Sequence, residues 1–320
     1  MLTTAQDFTT DDFDYLRHGD RIFKLRLFRP QGDGPFPVVI DLHGGAWCSG
    51  DLNECQVYAE GLVQHGLAIA IVDFRHAGDG YPASNADINY AIRWVKANAQ
   101  RLGVRAERIG IAGQSSGGHL AMLAAMRPAD PRYAGISLPA GMNPQDASVA
   151  AVAMLWPVIN PLSRYRHALR ERAAANPAPW QVNIPERHDI YWRTEAAMAE
   201  GNPMLAMERG EAMTTPPVLW LQGKPDAVHD YRDPEAPIPG NEPERFAANY
   251  RRIGGEIELV YIDQAVRQGS ACFDPVAQFF HKHLKPKDFQ QPSLGSTGTS
   301  AALVKGPVMR VEHYSWVSLG

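Results

Sequence analysis

The sequence predicts an α/β protein in which a mostly parallel sheet of about eight strands is covered by helices on both faces. Three observations lead to this prediction. Short apolar runs alternate with helical patterns along most of the chain, which is typical of parallel sheets with crossover helices. A glycine-flanked serine, Ser115, follows one apolar run and precedes a helix-like segment. A second glycine-rich turn, at residues 43–47, directly follows another apolar run.

The predicted strands follow one another in a regular order. They are expected at residues 22–28, 38–42, 68–74, 108–112, 149–155, 218–222 and 257–262. The clearest helix is predicted over residues 87–102, where apolar residues recur at helical spacing from Ile88 to Val95. A final helix is predicted from Pro275 to Leu284.

Two segments depart from this alternation and set the predicted domain organisation. Residues 157–213 are rich in Arg, Ala, Pro and aromatic residues, and we interpret them as a helical cap inserted above the strand ends. An ordinary decorated crossover is the alternative. Residues 290–300 are rich in Gln, Ser, Gly and Thr, which indicates a linker. We therefore expect one domain over residues 1–285 and a C-terminal appendage over 286–320.

Composition excludes several classes of protein. Of the 320 residues, 45% are hydrophobic and 21% are charged, and the formal net charge is −4, which gives no basic surface for nucleic acid. No apolar run approaches the length of about 18 residues that a membrane span needs. The three cysteines have unrelated spacings, which argues against a disulfide scaffold or a zinc site. With no secretory leader in view, we expect a cytoplasmic protein without cofactor or metal, and the sequence leaves a homo-oligomer open.

The strongest motif surrounds Ser115. The segment Gly113-Gln114-Ser115-Ser116-Gly117 lies between the strand RIGIA and the helix-like segment HLAMLAAM. A strand-to-helix turn this tight exposes the serine hydroxyl above the sheet, at a helix N-terminus that stabilises developing negative charge. Ser115 is thus the predicted nucleophile, and the alternative is a glycine-rich turn that only closes onto a helix.

The second motif, HGGAW at residues 43–47, follows the strand VVIDL. Glycines allow the backbone of such a loop to approach a reacting group, and two amides directed at an oxyanion lower the barrier to acyl transfer. We predict the amides of Gly45, Ala46 and Ser116 as the oxyanion hole. His43 is expected to brace the loop.

Together these motifs resemble a known family. The segments HGGAW, VDFR, DINYAIRWVKANA and GQSSGGHL look like those of the hormone-sensitive-lipase and bacterial feruloyl-esterase-like branch of the α/β-hydrolases. HGG-x-W with GHL also resembles kynurenine formamidases. The resemblance covers residues 20–285 and implies the α/β-hydrolase fold and esterase, lipase or amidase chemistry without a cofactor. It also implies that Asp226, which follows the strand PPVLWLQG, is the acid of a triad; Asp230 is the alternative.

The base that the resemblance implies is missing from its usual loop. The loop after the last strand, residues 263–270, contains no histidine, and Val266 or Arg267 falls where the base belongs. Four explanations remain open. His229 supplies the imidazole from the neighbouring loop, or His313 supplies it from the appendage. The protein works without a triad, or a natural histidine has been replaced. His229 is the best substitute, but its ring is expected to aim back past its own loop.

These motifs predict a serine hydrolase that acts on a small carboxylic ester or amide through an acyl-enzyme on Ser115. The aromatic residues Trp47, Trp156 and Trp192 are expected to wall the pocket and to favour an apolar or aromatic acyl group. Two alternatives come from other classes: a ligand-binding protein of the same fold, and a lyase-like enzyme that has lost the triad.

Overall fold

The sheet is the centre of the protein. The computed structural model describes residues 7–285. Within them one sheet has eight strands in the order β1-β2-β4-β3-β5-β6-β7-β8. They are β1 (Phe8–His18), β2 (Arg21–Pro30), β3 (Phe36–Leu42), β4 (Ala68–Val72), β5 (Val104–Gln114), β6 (Ala151–Leu155), β7 (Val218–Lys224) and β8 (Ile257–Asp263). β2 pairs antiparallel with both β1 and β4, and all other pairings are parallel.

Helices occupy both faces of this sheet. They are α1 (Gln56–Val63), α2 (Ala83–Ala97), α3 (Ala99–Leu102), α4 (Ser116–Met126), α5 (Pro161–Arg172), α6 (Ile184–Trp192), α7 (Glu195–Glu200), α8 (Pro203–Glu208), α9 (Glu242–Arg252) and α10 (Ser270–His283). Short 3₁₀ turns lie at Ala77–Asp79, Pro179–Gln181 and Gln264–Val266. This architecture confirms the predicted α/β fold with a mostly parallel sheet.

Two apolar layers hold the helices on the sheet. Along β4, Ala68, Ala70 and Val72 face one layer, while Ile69 and Ile71 face the other, as the two-residue period of a strand requires. The first layer packs α2, α4 and α9 on one face of the sheet, and the second packs α1 and α10 on the other. Because both faces are covered, the central strands are apolar at nearly every position.

The segment predicted as a cap consists of helices. α5 to α8 fill most of residues 157–213 between β6 and β7. α6 to α8 contribute Tyr191, Trp192, Met198, Met204 and Met207 to the first apolar layer. The predicted appendage at 286–320, with His313, lies outside the described residues.

Two helices begin at residues other than those predicted. The helix predicted over 87–102 begins earlier, at Ala83, and breaks at Asn98 into α2 and α3. The last helix begins at Ser270 and not at Pro275. Pro275 lies inside this helix, in its second turn, where its missing N–H removes one backbone hydrogen bond but does not end the helix. In residues 7–285 no helix has the length and apolarity needed to cross a bilayer.

Candidate active site

Parallel strands bring the predicted site residues to one edge of the sheet. β3, β5, β6 and β7 are neighbours and run in the same direction. Their carboxyl ends therefore lie side by side, and the loops that follow them converge there. The HGG loop follows β3, Ser115 follows β5, Trp156 follows β6 and Asp226 follows β7.

The turn at Ser115 has the strained backbone that its motif predicts. Ser115 has φ 51° and ψ −118°, a left-handed conformation that is rare for a residue with a side chain. Glycine is required at the neighbouring positions. A Cβ on Gly113 would lie 2.4 Å from the carbonyl carbon of Gly117, and one on Gly117 would lie 2.2 Å from the Leu42 oxygen. The turn thus projects the serine side chain between the ends of β3 and β6.

A single tight turn after β7 carries Asp226 and His229. The amide of Asp230 donates to the Asp226 carbonyl at 2.8 Å, which closes one helical turn. Asp226 Oδ1 accepts the amides of Val228 (3.0 Å) and His229 (3.1 Å). Gln222 Nε2 donates to Oδ2 at 3.2 Å. Residues three apart on such a turn lie on the same side, so the carboxylate and the imidazole face each other.

Ser115, His229 and Asp226 form one hydrogen-bonded line. His229 Nε2 lies 3.1 Å from Ser115 Oγ, and His229 Nδ1 lies 2.8 Å from Asp226 Oδ2. The expectation that this ring would aim back past its own loop is wrong, because the helical turn directs it toward Ser115. The imidazole thus reaches the serine from the loop after β7, one strand nearer than the loop after β8.

Burial and neighbouring charges set the ionisation of this line. Burial lowers the pKa of His229, and the Asp226 carboxylate raises it. The guanidinium groups of Arg164 and Arg267 lower it further, so the net pKa lies below 6.5. Burial raises the pKa of Asp226, but the His229 ring and the two turn amides outweigh it and hold the pKa below the ordinary value of 3.8. At neutral pH the imidazole is therefore neutral and the carboxylate ionised, as a general base and its orienting partner must be.

The HGG loop lies directly against the serine turn. A Cβ on Gly44 would lie 3.4 Å from Ser115 Cβ and 3.2 Å from the Gln114 carbonyl oxygen. Gly45 has φ 94°, and a Cβ there would come within 2.1 Å of the Ser49 oxygen. The Trp47 amide donates to Ser116 Oγ at 3.1 Å and ties this loop to the start of α4.

The three amides predicted as oxyanion donors, those of Gly45, Ala46 and Ser116, have no hydrogen-bond acceptor within residues 7–285. Ser116 is the first residue of α4, where an amide has no partner inside the helix. Arg187, on α6, donates to the Gly45 carbonyl and to Ser49 Oγ, both at 3.1 Å, and so fixes the loop from above. Sequence reasoning missed Arg187, because nothing along the chain links α6 to this loop.

The loop after β8 holds different groups from those of the resembled family. Val266 is exposed (45%), so its side chain points to solvent and not to the serine. The Arg267 guanidinium lies 5.4 Å from the centre of the Trp156 ring. His229, from the adjacent loop, already fills the position beside Ser115.

The three tryptophans predicted as pocket walls differ in their surroundings. Trp47 and Trp192 have 1% and 2% of their surface exposed and pack edge to face, 5.4 Å apart. Two rings buried this far offer a ligand almost no surface in this structure. Trp156 is also buried but lies between Tyr58 and Arg267, beside the serine turn. The role of all three in substrate binding stays a prediction.

The other buried histidines near the site serve packing. His43 stacks on Phe74 with ring centres 4.3 Å apart, and burial lowers its pKa to about 4. His119 accepts a hydrogen bond from Trp47 Nε1 and donates to the Gly201 carbonyl at 2.8 Å, and burial lowers its pKa to about 4. Both rings are neutral, and neither contacts Ser115 Oγ.

One group of side chains in the described part of the chain has metal-ligand character. Glu256, Glu258 and His283 bring their ligand atoms within 4.8 Å of one another. Glu256 and Glu258 lie at the amino end of β8, whereas Ser115 follows the carboxyl end of β5. Lys282 Nζ lies 2.9 Å from both carboxylates, so a cation of the chain itself already pairs with this group.

One family model matches the part of the chain that carries these residues. The model of the BD-FAE family matches residues 25–233, a span that includes the HGG loop, the serine turn and the Asp226–His229 turn. The chain belongs to the BD-FAE family. The match ends before the loop after β8, so every group of the hydrogen-bonded line lies inside the BD-FAE region.

Curated relatives are similar over part of their length. The probable carboxylic ester hydrolase LipM of Mycobacterium tuberculosis is 34% identical over 139 residues, which are 42% of this chain and 32% of LipM. The esterase LipC of the same organism is 37% identical over 125 residues, which are 38% of this chain and 30% of LipC. Versiconal hemiacetal acetate esterase of Dothistroma septosporum is 32% identical over 118 residues, 36% of this chain and 34% of that enzyme. The matches thus span about a third of each relative.

Solved structures share the fold over nearly the whole BD-FAE chain. EstE1, a carboxylesterase cloned from a metagenomic library, superposes with a TM-score of 0.66 at 20% identity and covers 88% of this chain and 92% of its own. A thermostable esterase from Pseudomonas putida ECU1011 gives a TM-score of 0.67 at 20% identity, covering 89% of this chain and 86% of its own. At this identity the likeness establishes the α/β-hydrolase fold.

Proposed function

We propose that this chain is a serine hydrolase that cleaves small carboxylic esters through an acyl-enzyme on Ser115. The observation that carries the proposal is the line Ser115 Oγ–His229 Nε2–Asp226 Oδ2, with distances of 3.1 Å and 2.8 Å. Those distances fall within the range of about 2.6–3.2 Å that proton transfer to a general base requires. Relatives named as a probable carboxylic ester hydrolase and an esterase support the same reaction.

Acylation follows from the roles of the three side chains. His229 Nε2 accepts the hydroxyl proton as Ser115 Oγ attacks the carbonyl carbon of the ester. The carbonyl oxygen becomes an oxyanion, which the amides of Gly45, Ala46 and Ser116 stabilise. His229 then donates its proton to the leaving alkoxide as the carbon–oxygen bond breaks, and the alcohol departs. Asp226 keeps Nδ1 protonated and stabilises the imidazolium throughout.

Deacylation repeats these steps with water. Neutral His229 accepts a proton from water, whose oxygen attacks the acyl carbon. The second oxyanion collapses, the bond to Ser115 Oγ breaks, and His229 returns the proton to the serine. Because every proton moves through one imidazole, the loop 263–270 needs no histidine of its own.

The geometry of the site favours ester hydrolysis over the ligand-binding alternative. A binding protein has no need of an imidazole held at 3.1 Å from a strained serine, since that backbone strain costs free energy. Amide hydrolysis uses the same groups, and it differs only in the poorer leaving group that His229 has to protonate.

The test combines covalent labelling with turnover. A fluorophosphonate probe should label the wild type on Ser115, and 4-nitrophenyl acetate and butyrate should be hydrolysed. Ser115→Ala should abolish both, while Ser137→Ala, at an exposed serine away from this edge, should retain both. Labelling with no turnover of any ester would favour the lyase-like alternative. No labelling and no turnover by a folded wild type would favour the ligand-binding alternative.

A further inference from the structure

Arg164 is a buried cation without an anion. Only 3% of its surface is exposed, and its Nε and Nη1 atoms form no hydrogen bond with any of residues 7–285. No carboxylate in that range lies within the 4.0 Å of an ion pair. Taking a guanidinium out of water without a partner is unfavourable, so this position calls for a group that is not part of the described chain.

Neighbouring arginines on α5 are paired, which makes Arg164 an exception. Arg166 contacts Glu195 at 2.6 Å and Glu235 at 2.5 Å. Arg172 contacts Glu186 at 2.7 Å. Those two are partly exposed and lie on the outer side of the helix. Arg164 is buried, and the described residues supply it with an aromatic ring and with no carboxylate at ion-pair distance.

That ring leaves the binding edge of Arg164 free. The guanidinium carbon lies 4.4 Å from the centre of the Trp180 ring. A guanidinium packed on an aromatic face is held by cation–π attraction, while its N–H bonds lie in its own plane and remain available. Such a fork matches the two oxygens of a carboxylate.

Arg164 lies close to the hydrogen-bonded line. Its neighbour Ser163 accepts a hydrogen bond from Tyr231, two residues beyond His229, at 3.2 Å. The positive charge of Arg164 lowers the pKa of His229, as does that of Arg267. Arg267 forms no ion pair within residues 7–285 either. Two arginines without an ion pair in the described residues therefore act on the imidazole, against the single negative charge of Asp226.

We propose that the ester substrate carries a free carboxylate, and that this carboxylate binds the Arg164 guanidinium beside Trp180. This proposal rests on the proposed function and names the substrate class of the same site. It revises the expectation of a purely apolar acyl group. Arg267 adds a second positive charge that acts on His229 and is not required for the pairing.

The test compares charged and neutral esters of the same length. For a carboxylate on the acyl side, the pair is 4-nitrophenyl hydrogen adipate and 4-nitrophenyl hexanoate. For a carboxylate on the alcohol side, the pair is 4-acetoxybenzoate and 4-acetoxybenzamide. Wild type should prefer the charged ester by at least tenfold in kcat/KM in one of the two pairs. Arg164→Met should lower that ratio at least tenfold, mainly through KM, and Arg164→Lys should retain part of it.

A matched variant and a binding measurement separate the two proposals. Arg166→Met removes a paired, exposed arginine from the same helix and should leave the ratio unchanged. Calorimetry with Ser115→Ala should show binding of adipate or 4-hydroxybenzoate that Arg164→Met removes. If no ester is hydrolysed but this binding is found, the proposed function fails and the carboxylate site stands. If esters are hydrolysed with no preference in either pair and neither anion binds, the carboxylate site is refuted and the hydrolase stands.

Discussion

Replacing His229 tests the central feature of the site. His229→Gln keeps a polar side chain of similar reach but removes the only imidazole that contacts Ser115 Oγ in the described part of the chain. A positioned general base contributes about 100- to 10,000-fold to turnover. Here the ring is in direct contact with the serine and is fixed by a 2.8 Å bond to a carboxylate. We therefore expect a loss of about 1,000-fold in kcat/KM, or about 4 kcal/mol of transition-state stabilisation.

The fold should survive this change. Without the ring, Asp226 keeps the amides of Val228 and residue 229 and the side chain of Gln222 as donors. Its charge stays hydrogen-bonded, so the free energy of unfolding should change by no more than about 1 kcal/mol. A loss of turnover in a protein with an unchanged melting temperature then reports on chemistry alone.

The assay is hydrolysis of 4-nitrophenyl butyrate, with Ser115→Ala and the double variant alongside. The double variant should be no slower than Ser115→Ala, because residues that act as a unit are not additive. His281→Gln, at an exposed histidine whose Nε2 lies 2.7 Å from the His65 carbonyl oxygen, is the matched control. Wild-type turnover in His229→Gln would refute the assignment and point to a different mechanism.

Three further predictions follow from charge and burial. Because the pKa of His229 lies below 6.5, kcat/KM should rise with pH to a plateau, with a midpoint below pH 6.5. Arg267 lowers the pKa of His229, so Arg267→Gln should move this midpoint to higher pH. A shift to lower pH would contradict the electrostatic argument. Burial raises the pKa of Asp41 from 3.8 to about 7, so its protonated form stabilises the fold at acid pH and that stability is lost as pH rises from about 4 to about 7. In urea unfolding, the free energy of unfolding of Asp41→Asn minus that of the wild type should increase by up to about 4 kcal/mol between pH 4 and pH 8. A difference that stays constant with pH would refute this. Val266→His should leave hydrolysis of 4-nitrophenyl butyrate unchanged, since this exposed position points away from the serine; a large increase would mean that His229 is not an effective base.

Strand β1 marks the limit of sequence periodicity for this fold. Residues 8–18 form a long edge strand, yet only Tyr15 and Leu16 within it are buried. An edge strand with polar residues on most positions gives no apolar run to recognise, so the first strand was predicted at 22–28. The strands from β3 to β7 lie inside the sheet, and their apolar runs identified each of them. β8 lies at the other edge and has only Ile257 buried, yet its run IELVYI was also recognised.

Asp226 and His229 also differ in how far the sequence predicts their place in the site. Asp226 could be placed from the strand that precedes it and from its resemblance to a family. The direction of the His229 ring could not, because it depends on the turn that the Asp226 carboxylate closes through the amides of Val228 and His229. The spacing of three residues between Asp226 and His229 was the available signal, and it becomes informative only once the backbone between them is known to be helical.

The sequence alone determined the sheet, the serine turn and the glycine loop, because each depends on short-range rules: an apolar period, a strand-to-helix turn, and a backbone that only glycine permits. The tertiary structure decided which imidazole reaches Ser115 and that Arg164 is buried without an anion. The first joins residues 115 and 229, and the second depends on the loop after β7, which contacts the helix of Arg164 through Tyr231 and Ser163. Contacts of that kind are set by how whole helices and loops pack at the edge of the sheet, and no local pattern encodes them.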